Sequence, residues 1–214
     1  MQQLYPFLAP GGTDLSAVLA DVRRSTAEKA NEIVRLREIV LEEYGAELAA
    51  CAARMAESFR AGGRLFAFGN GGSSTDAQDV AALFLNPGGG ARPLPALALT
   101  TDVAVVTALS NDIGFEVVFA RQLAAFGRPG DIAVALSTSG NSDNLIAALR
   151  EAAGRGMVTV GLAGYTGGQM AETPGMSHLF VVPSSSVHRI QEAQTTIYHA
   201  LWELTQRELV GEAA

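Results

Sequence analysis

Five short apolar runs, each of strand length and separated by helical stretches, limit what this chain can fold into. They read "RLFAF" (64–68), "ALAL" (96–99), "DIAVAL" (131–136), "MVTVGL" (157–162) and "LFVV" (179–182). Strands that are apolar on both sides must be covered on both sides, and strands that alternate with helices pair in parallel. The helical stretches fall at 75–85, 114–126, 142–154 and 188–209. The expectation is an α/β fold, a three-layer sandwich around a five-stranded parallel sheet. In such sheets ligands bind at the carboxyl ends of the strands.

Ahead of the first strand the pattern is helical from Thr13 to about Arg60. Leu15, Val18, Leu19 and Val22 recur at spacings of three and four, and Ile33, Leu36 and Val40 resume the stripe. Thr13 or Asp14 would cap the start. Gly45 is expected to divide the run into two helices, and Gly62-Gly63 to end it. The chain therefore divides into an N-terminal helical extension (1–60), packing on the core and on an oligomer partner, and a sheet domain (61–214). "NPGGGARPLP" (86–95) reads as a loop. With 214 residues, 48% of them hydrophobic, one core is readily filled.

Two loops carry the chemistry. Between the first strand and its helix lies Gly69-Asn70-Gly71-Gly72-Ser73-Ser74-Thr75. Unpaired N–H groups and the dipole at a helix start favour an anion, and glycines let the backbone approach it closely. After strand 131–136 comes "STSGNSDN", where Ser137, Thr138, Ser139 and Ser142 surround Gly140-Asn141. A capped polar turn needs one hydroxyl. Four hydroxyls between 137 and 142 point instead to phosphate, held by neutral hydrogen bonds without lysine or arginine.

Composition removes several classes. A net charge of −7 leaves no broad basic surface for nucleic acid. Lys29 is the only lysine and lies in the charged stretch "RRSTAEKANE", which argues against Schiff-base chemistry. Cys51, in "AELAACAARMAESF", reads as a buried structural thiol, and one cysteine permits no internal disulfide, as suits the cytoplasm. "MQQLYPFLAPGGTD" has neither the basic start nor the apolar run of a signal peptide. No window offers about 18 uninterrupted apolar residues, so no membrane span is expected.

"GNGGSSTDAQ", "TALSNDIGF", "GDIAVALSTSGNSDNLIAAL", "GLAGYTGGQMAE" and "HRIQEAQTTIYH" occur in the order of the sugar isomerase (SIS) domain. Across nearly its whole length the chain resembles the phosphoheptose isomerase branch, which converts sedoheptulose 7-phosphate into heptose 7-phosphate. The resemblance implies that Ser137, Thr138, Ser139 and Ser142 bind phosphate, that Asn70 and Ser73 line the sugar site, and that Asp112 contacts the substrate. It places Gln191 and His199 in the active centre. Eight residues is a little over two helical turns, so both are expected to point the same way. It also implies a homotetramer whose sites are shared between subunits.

The resemblance breaks at one place. In the catalytic branch the helix after "GNGGS" carries a histidine and, four residues on, a glutamate. These join the glutamine and histidine of the last helix to hold zinc, and the glutamate is the proton-transferring base. Here the two positions read Asp79 and Leu83. The metal set shrinks to Asp79, Gln191 and His199, a weak one for zinc because glutamine is a poor ligand, so no cofactor is certain and zinc is a doubtful option. Proton transfer could fall to His199, to Asp79 or to His188, with Gln191 orienting substrate. Each has a plainer reading: a satisfied core histidine, a solvated aspartate and a helix cap. His178, beside a strand, reads as structural. Two functions follow. One is a sugar-phosphate isomerase with a rearranged base, favoured by the retained His199. The other is a non-catalytic sugar-phosphate-binding or protein-interaction module, like the branch that binds the replication initiator protein, favoured by the missing glutamate.

Overall fold

One helix, α1 (Leu15–Arg60), opens the computed structural model, which describes residues 15–211. Thr13 and Asp14, the expected caps, lie outside the described residues. Gly45 does not divide the helix, contrary to expectation. A glycine inside a helix costs about 1 kcal/mol relative to alanine. Leu36 and Val40 on one side of it and Leu48, Cys51, Met55 and Phe59 on the other are all buried, and each such side chain returns about 1.5–3 kcal/mol. Burial outweighs the local penalty. The helix ends at Gly62 in the left-handed region, φ +85°, with the Gly63 N–H donating to the Ser58 carbonyl at 2.8 Å.

The chain then alternates: β1 (Leu65–Gly69), α2 (Gly72–Leu85), β2 (Ala96–Ala98), α3 (Val103–Asp112), a 3-10 turn (Phe115–Val117), α4 (Val118–Phe126), β3 (Ile132–Leu136), α5 (Asp143–Gly154), β4 (Val158–Gly164), α6 (Gly168–Ala171), β5 (His178–Val182) and α7 (Val187–Gly211). The five strands form one parallel sheet in the order β2-β1-β3-β4-β5, as the apolar runs predict. α3 was not expected. Its sequence is apolar without a stripe, and none of its residues is buried. It is held at its start by the Asp102 carboxylate, which accepts the Val105 N–H at 3.0 Å.

Side chains alternate across the sheet. Leu65 and Ala67 pack with residues of α1, α2 and α7 on one face. Phe66 and Phe68 pack with residues of α4 and α5 on the other. α1 also shields the edge strand β5: the Tyr44 hydroxyl accepts the Val181 N–H at 3.3 Å, and Glu47 pairs with His178 Nδ1 at 2.6 Å. That bond gives His178 the structural role expected of it. Among the described residues no helix is long and apolar enough to cross a membrane.

The position of the site follows from strand order. The chain runs outward from β1 to β2, then returns to lay β3 on the other side of β1. α2 follows β1 on one face and α5 follows β3 on the opposite face. The loops leaving β1 and β3 therefore diverge, which opens a crevice at their carboxyl ends.

Candidate functional site

The first loop turns within two residues of Gly69. A Cβ there would lie 2.5 Å from the Ser73 carbonyl oxygen and 2.9 Å from that of Leu136, so only glycine permits the approach. Ser73, expected to line the sugar site, is 5% exposed in the first turn of α2. Asn70 is half-buried and turns toward the second loop. Its side-chain amide exchanges two hydrogen bonds with that of Asn144, each 2.9 Å.

The second loop orients its own hydroxyls. Ser137 Oγ accepts the Gly140 N–H at 2.9 Å, and Ser139 Oγ accepts the Asn141 N–H at 3.2 Å. A hydroxyl whose lone pair is engaged by an amide still has its proton to donate, which suits an anion. Ser142 occupies the N-cap of α5 without a side-chain capping bond, so its hydroxyl is not committed there. Thr138 is half-buried. The loop is anchored from behind. Asn141 Oδ1 accepts the Gln169 N–H and the Gly140 carbonyl accepts the Met170 N–H, both at 2.9 Å. Gly140 has φ +68°, and a Cβ there would meet the Gly167 carbonyl at 2.0 Å.

A cleft of about 450 Å³ lies between the loops, lined by Asn70, Phe115, Glu116, Asn141, Ser142, Asp143 and Asn144. The first amides of α5 have no acceptor within the helix, so its N-terminus favours an anion here. Asp112, expected at the substrate, is exposed at the end of α3, accepts the Asn111 side-chain N–H at 2.8 Å, and is not among the lining residues.

α7 reaches both loops through two glutamines three residues apart. Gln191 Nε2 donates to Asp76 Oδ2 at 2.9 Å and lies over Gly72, where a Cβ would meet it at 2.5 Å. Gln194, fully buried, donates from Nε2 to the Ser137 carbonyl at 2.9 Å. Burial raises the proton affinity of the Asp76 carboxyl above the usual carboxylate range; the Gln191 bond opposes this, and the neighbouring Asp79 charge adds to it. The Tyr198 phenol is likewise raised, first by burial and then by the charges of Asp76 and Asp79, against a hydrogen bond with Thr195.

His199 faces elsewhere. It is exposed, stacks on the Tyr198 ring at 5.2 Å, and borders a groove with Arg37 of α1, Thr195, Thr196 and Glu203. Within one chain, Gln191 and His199 therefore do not converge as expected. Eight residues leave them about 80° apart around the helix, whereas Tyr198, at seven, falls back on the Gln191 side. Asp79 is exposed on α2, and His188 is exposed in the first turn of α7.

These residues do not fit zinc. Among the described residues no three His, Cys, Asp or Glu side chains come together as a metal set. Gln191 turns its amide to Asp76, while His199 borders the groove that Arg37 lines, so the two do not meet on one ion within the chain.

Sequence reasoning missed four residues here: Asp76, Asn144, Gln194 and Tyr198. The signal for Asp76 was its position one turn before Asp79. That for Gln194 and Tyr198 was their i+3 and i+7 spacing from Gln191. Asn144 gave none beyond following Ser142 by two.

The chain is similar to known proteins in sequence and in fold. Residues 30–164 match the family described as the SIS domain. A phosphoheptose isomerase from Roseiflexus sp. (strain RS-1) is 46% identical over 173 residues, spanning 80% of this chain and 87% of that protein. The structure of a phosphoheptose isomerase from Neisseria gonorrhoeae superposes with a TM-score of 0.76 at 36% identity, covering 87% of this chain and 97% of that one. One from Francisella tularensis gives 0.79 at 31% identity, covering 89% and 98%.

Proposed function

The chain belongs to the SIS domain family, and on that premise we propose that it is a sugar-phosphate isomerase of the phosphoheptose isomerase type. One observation supports this most: the serine loop after β3 turns its hydroxyls outward at the start of α5 beside Asn70 of the loop after β1, and α7 braces α2 and the serine loop from behind through Gln191 and Gln194. The reaction moves a proton from C1 of a ketose phosphate to C2 through an enediol, while the O1 proton passes to O2. The products balance without an oxidant.

In this reading Ser137, Thr138, Ser139 and Ser142 hold the phosphate at the start of α5. Asn70, Ser73 and Asp112 serve the sugar chain, and Gln191 orients it. His199, which faces away from the crevice of its own chain, exchanges protons with the sugar oxygens in the crevice of a neighbouring subunit. The carbon-bound proton falls to a carboxylate of α2, Asp79 or its neighbour Asp76. A base that must both take and return a proton works best with its affinity near the working pH, which favours Asp76, whose affinity burial raises.

The proposed assembly is a homotetramer with shared sites. It is supported by the exposed apolar side chains Leu15, Leu19 and Val22 along α1 and by the outward-facing His199. The proposed compartment is the cytoplasm, in keeping with a single buried cysteine. The test is incubation with sedoheptulose 7-phosphate, with and without zinc, following the isomeric product by chromatography and deuterium uptake at carbon. Light scattering tests the assembly, and a 22.3 kDa monomer would overturn it. Leu83, at the position where the resemblance calls for glutamate, favours the second reading, a non-catalytic binding module. Sugar-phosphate binding with no isomerisation and no deuterium uptake would establish that reading instead.

A further inference from the structure

We propose that Asn144 is a positioning residue that presents Asn70 as a one-donor, one-acceptor reader of the sugar hydroxyls, a proposal that rests on the cleft being a sugar-phosphate site. The two residues stand 74 positions apart, one in the loop after β1 and the other in the first turn of α5. Each amide donates to the other and accepts from it, both bonds at 2.9 Å. Both border the cleft, but Asn144 is only 3% exposed and spends its amide on Asn70, which is half-buried.

A primary amide has two N–H donors and two oxygen lone pairs. The reciprocal pair uses one of each on Asn70, leaving one N–H and one lone pair that face away from Asn144. Exchanging the amide's two ends would place N–H against N–H and oxygen against oxygen unless Asn144 turned as well. The pair therefore fixes both the plane and the sense of what Asn70 offers. A hydroxyl both donates and accepts, so hydroxyls set apart along a polyol chain can meet the free N–H on one flank of the amide and the free lone pair on the other. Inorganic phosphate, though it keeps a P–OH proton near neutral pH, has no carbon-chain hydroxyls to meet both flanks of the amide. The serine loop takes it without Asn70. Asn144 therefore acts on recognition of the carbon chain and not on the phosphate.

The test compares wild type with Asn144→Ala and Asn144→Asp. The latter retains an acceptor for Asn70 Nδ2 but loses the donor to Asn70 Oδ1 and adds a charge, whose effect on anion binding the inorganic phosphate arm reads separately. Affinity for sedoheptulose 7-phosphate is measured by calorimetry and, where turnover occurs, as KM. Affinity for inorganic phosphate is measured in parallel, and thermal melting reports folding. Asn144→Ala should weaken sugar-phosphate binding about tenfold, the scale of one well-placed hydrogen bond, with phosphate affinity within about twofold of wild type. Asn144→Asp should recover part of the loss. Unchanged sugar-phosphate affinity in Asn144→Ala overturns the proposal, and so does an equal loss for both ligands or a variant that binds neither while Asn144→Asp is folded and unimpaired. Binding without turnover in wild type would defeat the isomerase reading alone, since calorimetry still reads the asparagine pair.

Discussion

Ser137 Oγ accepts the Gly140 N–H at 2.9 Å, across a turn that only glycine can make. The bond commits the hydroxyl to donating outward, and it also satisfies an amide of a buried residue. Ser137→Ala with Ser139→Ala should lower sugar-phosphate affinity by about 3–6 kcal/mol, two hydrogen bonds to a charged group. Ser137→Ala should in addition cost about 1–3 kcal/mol of stability, because the Gly140 amide loses its acceptor. Calorimetry reads the first effect and urea unfolding the second. Undiminished affinity in the double variant would remove the phosphate from this loop.

Asp76 should make stability depend on pH in an unusual sense for a carboxylate. Its affinity for a proton is higher in the folded chain than the ordinary value, first through burial. From about pH 4 up to that raised value, the folded state holds more proton at this site than the unfolded state does. Stability contributed here is complete at low pH and is lost as pH rises through the window. Asp76→Asn removes the dependence and leaves an amide oxygen to accept from Gln191. Urea midpoints for both proteins between about pH 4 and 7 should show wild type losing ground to the variant as pH climbs. A constant difference would contradict the assignment.

His199 should be the side chain most sensitive for turnover. His199→Ala is expected to lower kcat by about 100-fold or more, the usual contribution of a general acid–base. Binding should change little, because His199 lies away from the serine loop. Asp79→Asn should rank below it. Turnover of His199→Ala at the wild-type rate would shift oxygen proton transfer to another group.

Cys51 should be inert in the folded protein. It is fully buried, and burial together with the nearby Glu47 charge pushes its thiol well up, away from the reactive thiolate. Ellman's reagent should label it only after unfolding, and the labelling rate should track the unfolding equilibrium. Rapid labelling of native protein would show that the α1 seam opens.

The sheet was legible because strands covered on both faces must be apolar throughout. All five appear within a residue or two of where their runs predict, with "RLFAF" shifted to Leu65–Gly69. The serine loop was legible because its hydroxyls exceed what a cap requires. Gly45 misled because sequence shows the local cost of a glycine and not the burial of Leu36 and Leu48 on either side. α3 escaped because an apolar segment with no buried face has no stripe to read. Asn144 and Gln194 acquire their roles only by meeting partners 74 and 57 residues away. Spacing rules reach along one helix; they do not reach across a fold.

α7 supplies the groups that hold both loops, and its residues leave the ribosome after every strand of the sheet. Chains grow from the N-terminus at about 5–20 residues per second, so the sheet, the serine turn and the asparagine pair can all be present before Gln191 and Gln194 exist. A product of aborted translation ending ahead of Val187 would carry both loops but would lack the bonds from Asp76 to Gln191 and from the Ser137 carbonyl to Gln194. Such a chain keeps the residues that meet the ligand but not the bonds that brace them, so its affinity for a sugar phosphate should fall below that of a chain translated through α7.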